Sequence, residues 1–248
     1  MTPQKDQVDL ADWPVAVLAG GLSTRLRPET DKIPKALLNV AGEPFVVHQL
    51  RLLRSHGFRS VVLCVGYLGE MVQEEIGDGS GLGLRIVYSS DGPNLLGTGG
   101  ALKRALPKLG DQFVVIYGDS YMPVDYSAIV QAFVSSRKPA LMAVLKNEGR
   151  WDTSNVECEE GEILRYDKKL RTARMRHIDY GIAVLSAAVF ESFTADAAFD
   201  LADVYSRLVD DRQMAAYEVK QRFYEIGSRQ GLAELDSLLR HKPATFSP

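Results

Sequence analysis

The fold is decided by an apolar run that ends in paired glycines, Val15-Ala16-Val17-Leu18-Ala19-Gly20-Gly21. The run predicts a buried strand, and the glycines let backbone N–H groups in the following turn approach a bound anion closely. Arg25 and Arg27 follow with forked cationic donors, and Lys35 adds a third positive charge. These residues predict a strand followed by a phosphate-binding loop, although an ordinary turn with solvated arginines would contain the same residue types.

Short apolar runs alternate with segments of helical period through the first half of the chain. We predict strands at Val15–Ala19, Ser60–Val65, Leu84–Tyr88 and Phe113–Tyr117. We predict helices from Pro44 to a capping Gly57 and at Leu68–Ile76, Thr98–Leu106 and Tyr126–Ser136. Strands and helices in alternation are typical of βαβ units and a largely parallel sheet, which gives an α/β fold class.

Strands dominate the second half of the chain. We predict them at Ala140–Lys146, Asn155–Glu159, Ile163–Asp167 and His177–Leu185, with helices at Leu201–Val209 and Arg229–His241. The dipeptide Glu160-Gly161 between two strands predicts a hairpin. No linker composition divides the chain, so we expect a single domain over residues 1–248, with a nucleotide-binding half at about 13–136 and an acceptor-binding half at about 137–241.

Composition excludes several classes of function. The 248 residues carry a net charge of −3, so no general basic field attracts nucleic acid or an anionic membrane. No segment approaches the roughly 20 apolar residues that span a bilayer, and we expect a cytoplasmic protein. Cys64 and Cys158 are far apart and predict no disulfide, and Cys64 is expected to be a buried thiol. The GxxxxGK[ST] and GxGxxG patterns are absent from the sequence, which argues against P-loop ATPases and dinucleotide dehydrogenases.

Residues 18–35, which read LAGGLSTRLRPETDKIPK, resemble the LAGGxGTRLxPLTxxxPK signature of the sugar-phosphate nucleotidyltransferase family. The resemblance extends from about Trp13 to His241 and departs at Ser23, where the family usually has glycine. It implies a Rossmann-like, doubly wound nucleotidyltransferase domain with a mainly parallel mixed sheet. It also implies that Mg²⁺ is the cofactor and that a sugar phosphate attacks the α-phosphorus of a nucleoside triphosphate, with pyrophosphate leaving.

The resemblance also implies residues for the nucleotide and the metal. The catalytic residues would be Arg25, Lys35 and Asp119. Asp119 and Glu225 would bind Mg²⁺, although Glu225 stands where the family commonly has a shorter aspartate. Two of the implied positions have a structural alternative. For Asp119 it is a turn aspartate that accepts nearby N–H groups, and for Thr98 it is the N-cap at the start of a helix. The implied nucleotide-binding residues are Ala19, Gly20, Gly21, Ser23, Thr24, Arg25, Lys35, Gly97, Thr98 and Gly99.

The acceptor half departs further from the family pattern. Lys169 takes the place of the lysine that holds the acceptor phosphate, and Lys168 replaces the preceding glutamate. Asp179 replaces an asparagine, so its side chain accepts from sugar hydroxyls but cannot donate to them. The structural alternative for Lys168 and Lys169 is an ordinary pair of solvated lysines. For Trp151, which is also predicted to bind the acceptor, the alternative is a side chain that only covers the core. The residues predicted to bind the acceptor are Trp151, Asp152, Asn155, Lys169 and Asp179.

The expected partners are a nucleoside triphosphate and a small phosphorylated acceptor, without nucleic acid or membrane, and homo-oligomerisation is left open. Paired Gly20-Gly21 favours guanylyl, thymidylyl or adenylyl transfer to a heptose or hexose 1-phosphate, as in short members such as heptose 1-phosphate guanylyltransferases. Two alternatives stay open. One is a cytidylyltransferase acting on a non-sugar phosphate such as phosphocholine, and the other is a non-catalytic, nucleotide-binding regulatory subunit.

Overall fold

The computed structural model describes residues 8–21, 24–151 and 153–241. The strands are β1 (Val15–Leu18), β2 (Asn39–Val40), β3 (Glu43–Pro44), β4 (Ser60–Val65), β5 (Arg85–Ser90), β6 (Gln112–Tyr117), β7 (Ser120–Tyr121), β8 (Ala140–Lys146), β9 (Val156–Glu159), β10 (Glu162–Tyr166), β11 (His177–Ser186), β12 (Met214–Val219) and β13 (Tyr224–Glu225). The α-helices are α1 (Phe45–Ser55), α2 (Gly69–Ile76), α3 (Gly97–Leu109), α4 (Tyr126–Ser136), α5 (Leu201–Asp210) and α6 (Arg229–His241). In this described part of the chain, no helix has both the length and the apolar character needed to cross a bilayer.

The centre of the molecule is a mixed sheet of nine strands in the order β5-β4-β1-β6-β11-β8-β12-β10-β9. Strands β5, β4, β1 and β6 are parallel neighbours. Only β11 and β10 run against the other seven, which confirms the predicted, mainly parallel mixed sheet. The chain moves from β1 outward to β4 and β5 and then returns to β6 on the other side of β1. The carboxyl ends of β1 and β6 therefore form a topological switch point.

Helices cover both faces of this sheet. Val15 and Val17 of β1 pack into the core layer formed with α1, α2 and α4, whereas Ala16 packs into the layer formed with α3 and α5. Successive strand residues point to opposite faces, so a strand covered on both sides must be apolar throughout. This explains why β1 is an uninterrupted apolar run.

Turn residues set the local boundaries. Gly57 has a φ of +104°, as expected for the residue that ends α1. Glu160 and Gly161 have φ values of +49° and +80°, so the predicted hairpin between β9 and β10 is confirmed with two left-handed turn residues. Helix α3 continues through Pro107 to Leu109, beyond its predicted end, because a proline in the last turn removes only one helical N–H donor.

Candidate active site

The loop after β1 lies at the switch point. Ala19 still donates its backbone N–H to the Cys64 carbonyl oxygen at 2.9 Å, so the chain leaves the sheet at Gly20. A Cβ atom on Gly118, directly after β6, would lie 2.6 Å from the Leu18 carbonyl oxygen, which is closer than real Cβ atoms approach. The loops after β1 and β6 therefore pack backbone against backbone, and this contact requires glycine at position 118.

A cleft of about 400 Å³ opens beside these loops. In open α/β sheets, ligands bind in the crevice at the carboxyl ends of the strands around a switch point. The 3-10 turn Thr24–Leu26 brings Arg25 to this cleft, whereas Ser23 lies outside the described residues. The predicted site residues that line the cleft are Ala19, Gly20, Gly21, Arg25, Lys35, Gly97, Thr98 and Asp119.

Charged side chains converge at one end of the cleft. Lys35 Nζ lies 2.7 Å from Asp119 Oδ2, and the Lys35 side chain is only 13% exposed. A Cβ atom built on Gly227 would lie 3.0 Å from this Nζ and 3.2 Å from a guanidinium nitrogen of Arg25. The same point is 2.6 Å from Glu225 Oε2. Two cations and two carboxylates that are far apart in sequence therefore meet in one place.

Asp119 and Glu225 are brought together by the short strands β7 and β13, which pair antiparallel. Ile226 donates its N–H to the Asp119 carbonyl oxygen at 3.0 Å. The Glu225 carboxylate accepts hydrogen bonds from the Gly227 N–H and the Ser228 hydroxyl at the start of α6, where the helix dipole favours negative charge. Glu225 is thus close to Asp119, as the metal prediction requires, but its oxygens already have protein donors.

The start of α3 differs from the prediction. Thr98 does not cap α3, because the helix begins one residue earlier. Its hydroxyl donates to Asp200 Oδ1 at 3.0 Å and accepts from the Leu201 N–H at 2.8 Å, so it joins α3 to the start of α5. Gly99 is buried, and a Cβ atom there would lie 2.4 Å from the Phe199 ring. Gly99 packs closely against residue 199 and is not among the residues that line the cleft, and its nucleotide contact stays a prediction.

Asn155 and Asp179 form a structural unit on the acceptor side. Asn155 Oδ1 accepts the backbone N–H of Asp179 at 3.0 Å, so Asn155 fixes the position of β11. Asp179 accepts from the Gly181 N–H at 3.0 Å and from the Tyr166 hydroxyl at 3.4 Å. Burial raises the pKa of Asp179, and the nearby Lys168 ammonium opposes this rise. The Asp179 carboxylate is therefore partly buried, and hydrogen bonds fix its position.

The adjacent lysines have different surroundings. Lys168 Nζ lies 5.8 Å from the ring centroid of Tyr117, which lines the cleft. The backbone N–H of Lys169 donates to Asp167 Oδ1 at 2.8 Å, and the side chains of both lysines are exposed. The geometry thus favours Lys168 for the acceptor-phosphate role that the resemblance assigns to Lys169. Strand β10 ends at Tyr166, so strict alternation no longer fixes which lysine faces the cleft.

Trp151 packs on a cation and not on the core. The Arg222 guanidinium carbon lies 4.0 Å from the Trp151 ring centroid and 4.5 Å from that of Tyr224. Arg222 also forms an ion pair with Glu234 of α6 at 2.8 Å. The loop that contains Trp151 is thereby attached to β13 and α6. Its neighbour Asp152, also predicted to bind the acceptor, lies outside the described residues.

Among the cleft-lining residues that the sequence prediction missed are the carboxylate of Asp91 and the phenol of Tyr117. Asp91 follows β5, is 6% exposed, and accepts the Leu96 N–H at 3.1 Å. Burial raises its pKa, while this hydrogen bond and nearby Arg104 lower it. Like Asp119, Asp91 lies near the carboxyl end of a parallel strand, where ligands of open α/β sheets bind, and this position is visible in the sequence.

The switch-point cleft and its glycine loop define a doubly wound α/β protein with its candidate site at the carboxyl ends of parallel strands. More particularly, the chain belongs to the Nucleotidyl transferase family, which it matches over residues 15–239.

Two similar proteins are named as nucleotidyltransferases of sugar 1-phosphates. The chain is 40% identical over 116 residues to N-acetylmuramate alpha-1-phosphate uridylyltransferase of Neisseria meningitidis, covering 46% of this chain and 50% of that protein. It is 28% identical over 212 residues to D-glycero-alpha-D-manno-heptose 1-phosphate guanylyltransferase of Campylobacter jejuni, covering 85% of this chain and 93% of that protein. The chain spans only 50 to 60% of the length of three of its curated relatives.

A solved structure shows the same fold. The inositol-1-phosphate CTP transferase from T. maritima superposes with a TM-score of 0.74 at 24% identity, covering 96% of this chain and 99% of that one. At this identity the similarity concerns the fold alone.

Proposed function

We propose that this protein transfers a nucleoside monophosphate from a nucleoside triphosphate to a sugar 1-phosphate and releases pyrophosphate. The observation that carries the proposal is the meeting of Arg25, Lys35 and Asp119 at one end of a cleft behind a glycine loop. Family membership supports this reaction class, as do relatives named uridylyltransferase and guanylyltransferase for sugar 1-phosphates.

The reaction requires alignment and charge neutralisation more than proton transfer. An ionised phosphate oxygen of the acceptor attacks the α-phosphorus, and the bond to the bridging oxygen of pyrophosphate breaks. In our proposal Arg25 stabilises the charge that develops on pyrophosphate, and Lys35 holds the reacting phosphates in line. Asp119 fixes the Lys35 ammonium through their 2.7 Å ion pair. No side chain has to act as a general base, because the nucleophile is already ionised.

The carboxylates of Asp119 and Glu225 are the residues that would hold Mg²⁺. Mg²⁺ is commonly bound through one or two carboxylates together with substrate phosphates and water, and the donor set here fits that pattern. The Asp119 side chain is 38% exposed, and in the described part of the chain no group of three or more metal-ligating residues occurs. The ion would neutralise phosphate charge. We expect EDTA to stop pyrophosphate release, added Mg²⁺ to restore it, and Asp119→Asn to raise the Mg²⁺ concentration required.

The acceptor phosphate is assigned to Lys168. Its ammonium lies 5.8 Å from the ring centroid of Tyr117, which lines the cleft, and it opposes the rise that burial causes in the Asp179 pKa. A single flexible point charge in this position would hold the phosphate near the α-phosphorus without fixing the rest of the acceptor.

A pyrophosphate-release screen tests the proposal. The purified chain is incubated with each nucleoside triphosphate and a panel of sugar 1-phosphates. We expect release with at least one pair, and a loss of roughly 100-fold or more in turnover for Arg25→Ala, because that charge acts in the transition state. Arg229→Ala is the matched control, since Arg229 is 71% exposed and pairs with Glu29 on the surface.

The other outcomes discriminate between the alternatives. Triphosphate binding without pyrophosphate release for any acceptor would contradict the proposal and favour a regulatory nucleotide-binding chain. Release with phosphocholine and CTP, but with no sugar 1-phosphate, would favour the cytidylyltransferase alternative. A fully active Arg25→Ala variant would contradict the assigned role of that residue.

A further inference from the structure

A polar side chain on the buried face of α1 reaches the turn that contains Asp119. The buried residues of this helix are Phe45, Val46, Gln49, Leu50 and Leu53. Gln49 is 2% exposed, and its amide nitrogen donates to the Tyr117 and Ser120 carbonyl oxygens, each at 2.9 Å. Tyr117 ends β6 and Ser120 begins β7, so these two hydrogen bonds hold the backbone on both sides of Gly118 and Asp119.

The contacts fix the orientation of the Gln49 amide. A side-chain amide has two N–H donors, and the two carbonyl oxygens use both of them. The opposite orientation would place an acceptor oxygen against two acceptors. In the described part of the chain, Gln49 Oε1 is buried without a hydrogen-bond partner. An apolar side chain of similar length would avoid that cost, so Gln49 is better suited to holding the turn than to stabilising the core.

The turn in its place sets the position of the Asp119 carboxylate. Ser120 donates its hydroxyl to Asp119 Oδ1 at 3.2 Å, and Lys35 Nζ lies 2.7 Å from Asp119 Oδ2. The Asp119 carbonyl oxygen accepts the N–H of Ile226, the residue after Glu225, at 3.0 Å. A shift of the turn would therefore move a donor to the Asp119 carboxylate and weaken the pairing that brings Glu225 close to it.

We infer that Gln49 is a positioning residue, which acts by holding the backbone on both sides of Asp119. Gln49 is not among the residues that line the cleft, so its effect passes through the turn and not through contact with a substrate. Small displacements in a site that aligns reacting groups cause large losses of rate. The inference rests on the proposed transfer reaction and adds to it a buried residue behind the site.

Gln49→Met tests the inference, because it keeps the length of the side chain and removes both donors. With the best pair of substrates, we expect kcat to fall roughly 10- to 100-fold, while the KM for the acceptor changes by less than about twofold. The Mg²⁺ concentration that gives half the maximal rate should rise about tenfold, as when groups that orient metal-binding side chains are removed. A loss of stability alone would leave both the KM and the Mg²⁺ requirement unchanged.

Two further variants keep the test specific. Leu53→Val is the matched control, because Leu53 is buried on the same face of α1 one turn later and its side chain donates to neither carbonyl. It should leave kcat and the Mg²⁺ requirement close to those of the wild type. Gln49→Asn keeps the amide but is one methylene too short to reach both carbonyls. It should show the same losses as Gln49→Met, and it replaces that variant if Gln49→Met does not fold.

A measurement without turnover tests the same geometry. Hydrogen exchange at the Ile226 amide, which donates to the Asp119 carbonyl oxygen, is followed by NMR in the folded proteins. We expect faster exchange in Gln49→Met than in the wild type or Leu53→Val. Exchange in β12 should be equal in all three, because β11 and β8 separate that strand from β6.

The failures of the two proposals are distinguishable. Wild-type kcat and Mg²⁺ requirement in the folded Gln49→Met protein would overturn the inference, and so would an equal loss of kcat in Leu53→Val. Unchanged exchange at the Ile226 amide would overturn it as well. Absence of pyrophosphate release by the wild-type protein with every acceptor would overturn the transfer reaction, while the exchange measurement would still decide whether Gln49 holds the turn.

Discussion

Replacing Lys168 with glutamine tests the assignment of the acceptor phosphate. The substitution keeps most of the side-chain length but removes the charge that lies over the Tyr117 ring, 5.8 Å from its centroid. A hydrogen bond to a charged group contributes about 1.5–3 kcal/mol. Because the Lys168 side chain is exposed and screened by solvent, the lower end of that range applies, which is roughly 10- to 30-fold in kcat/KM for the acceptor. Steady-state pyrophosphate release at varied acceptor concentration measures the effect.

The neighbouring residue supplies the matched comparison. Lys169→Gln makes the same chemical change one position away, and we expect it to alter acceptor kcat/KM by less than about threefold, as for an ordinary surface charge. Neither variant should change the KM for the triphosphate. If Lys169→Gln costs as much as Lys168→Gln, or more, the reasoning from side-chain placement is wrong, and the role implied by the sequence resemblance stands.

Three further perturbations test other parts of the structure. Gly118→Ala would place a Cβ atom 2.6 Å from the Leu18 carbonyl oxygen, so we expect a loss of about 1–3 kcal/mol in urea unfolding and weaker triphosphate binding; wild-type stability would contradict the loop packing. Burial raises the pKa of Asp91, so its charge costs stability at neutral pH. Asp91→Asn should therefore be more stable than wild type at pH 7, with a gain that disappears as pH falls towards the ordinary carboxyl pKa of 3.8, and a gain that persists in acid would refute this cause. Burial raises the pKa of Cys64 to about 12, so alkylation of the native protein at pH 8 followed by mass spectrometry should label Cys158 well before Cys64, and equal rates would contradict the buried thiol.

Hydrophobic periodicity predicted most of the fold. The strand at residues 15–18 and the helix at 45–55 have clear periods and clear end signals, and both formed as predicted. The strand Met214–Val219 was missed, because its two alanines have little strand preference and Glu218 interrupts the apolar run. It forms because β8 offers a parallel partner over all six of its residues, and such tertiary pairing is invisible in a local window.

The candidate site was predictable where the sequence matches the family signature. Asp119 was assigned through that resemblance, whereas Asp91, which also lies near the carboxyl end of a parallel strand, was missed. The sequence could not decide between Lys168 and Lys169. Both follow the end of β10, so the alternation of side chains along that strand does not fix which lysine faces the cleft. The sequence also could not predict the stacking of Trp151, because its partner Arg222 is distant in sequence and becomes adjacent only after folding.

The contact of Arg222 with Trp151 and Tyr224 makes the fluorescence of Trp151 a natural probe of the acceptor-side loop. The chain has two tryptophans, and Trp13 packs edge-on against Phe133 at a centroid distance of 6.0 Å, within the layer beneath α4. The indole of Trp151 is 45% exposed and rests on a guanidinium that is itself tied to α6. A Trp13→Phe variant would therefore have Trp151 as its single tryptophan, and its indole fluorescence would follow the acceptor-side loop in real time without an added dye.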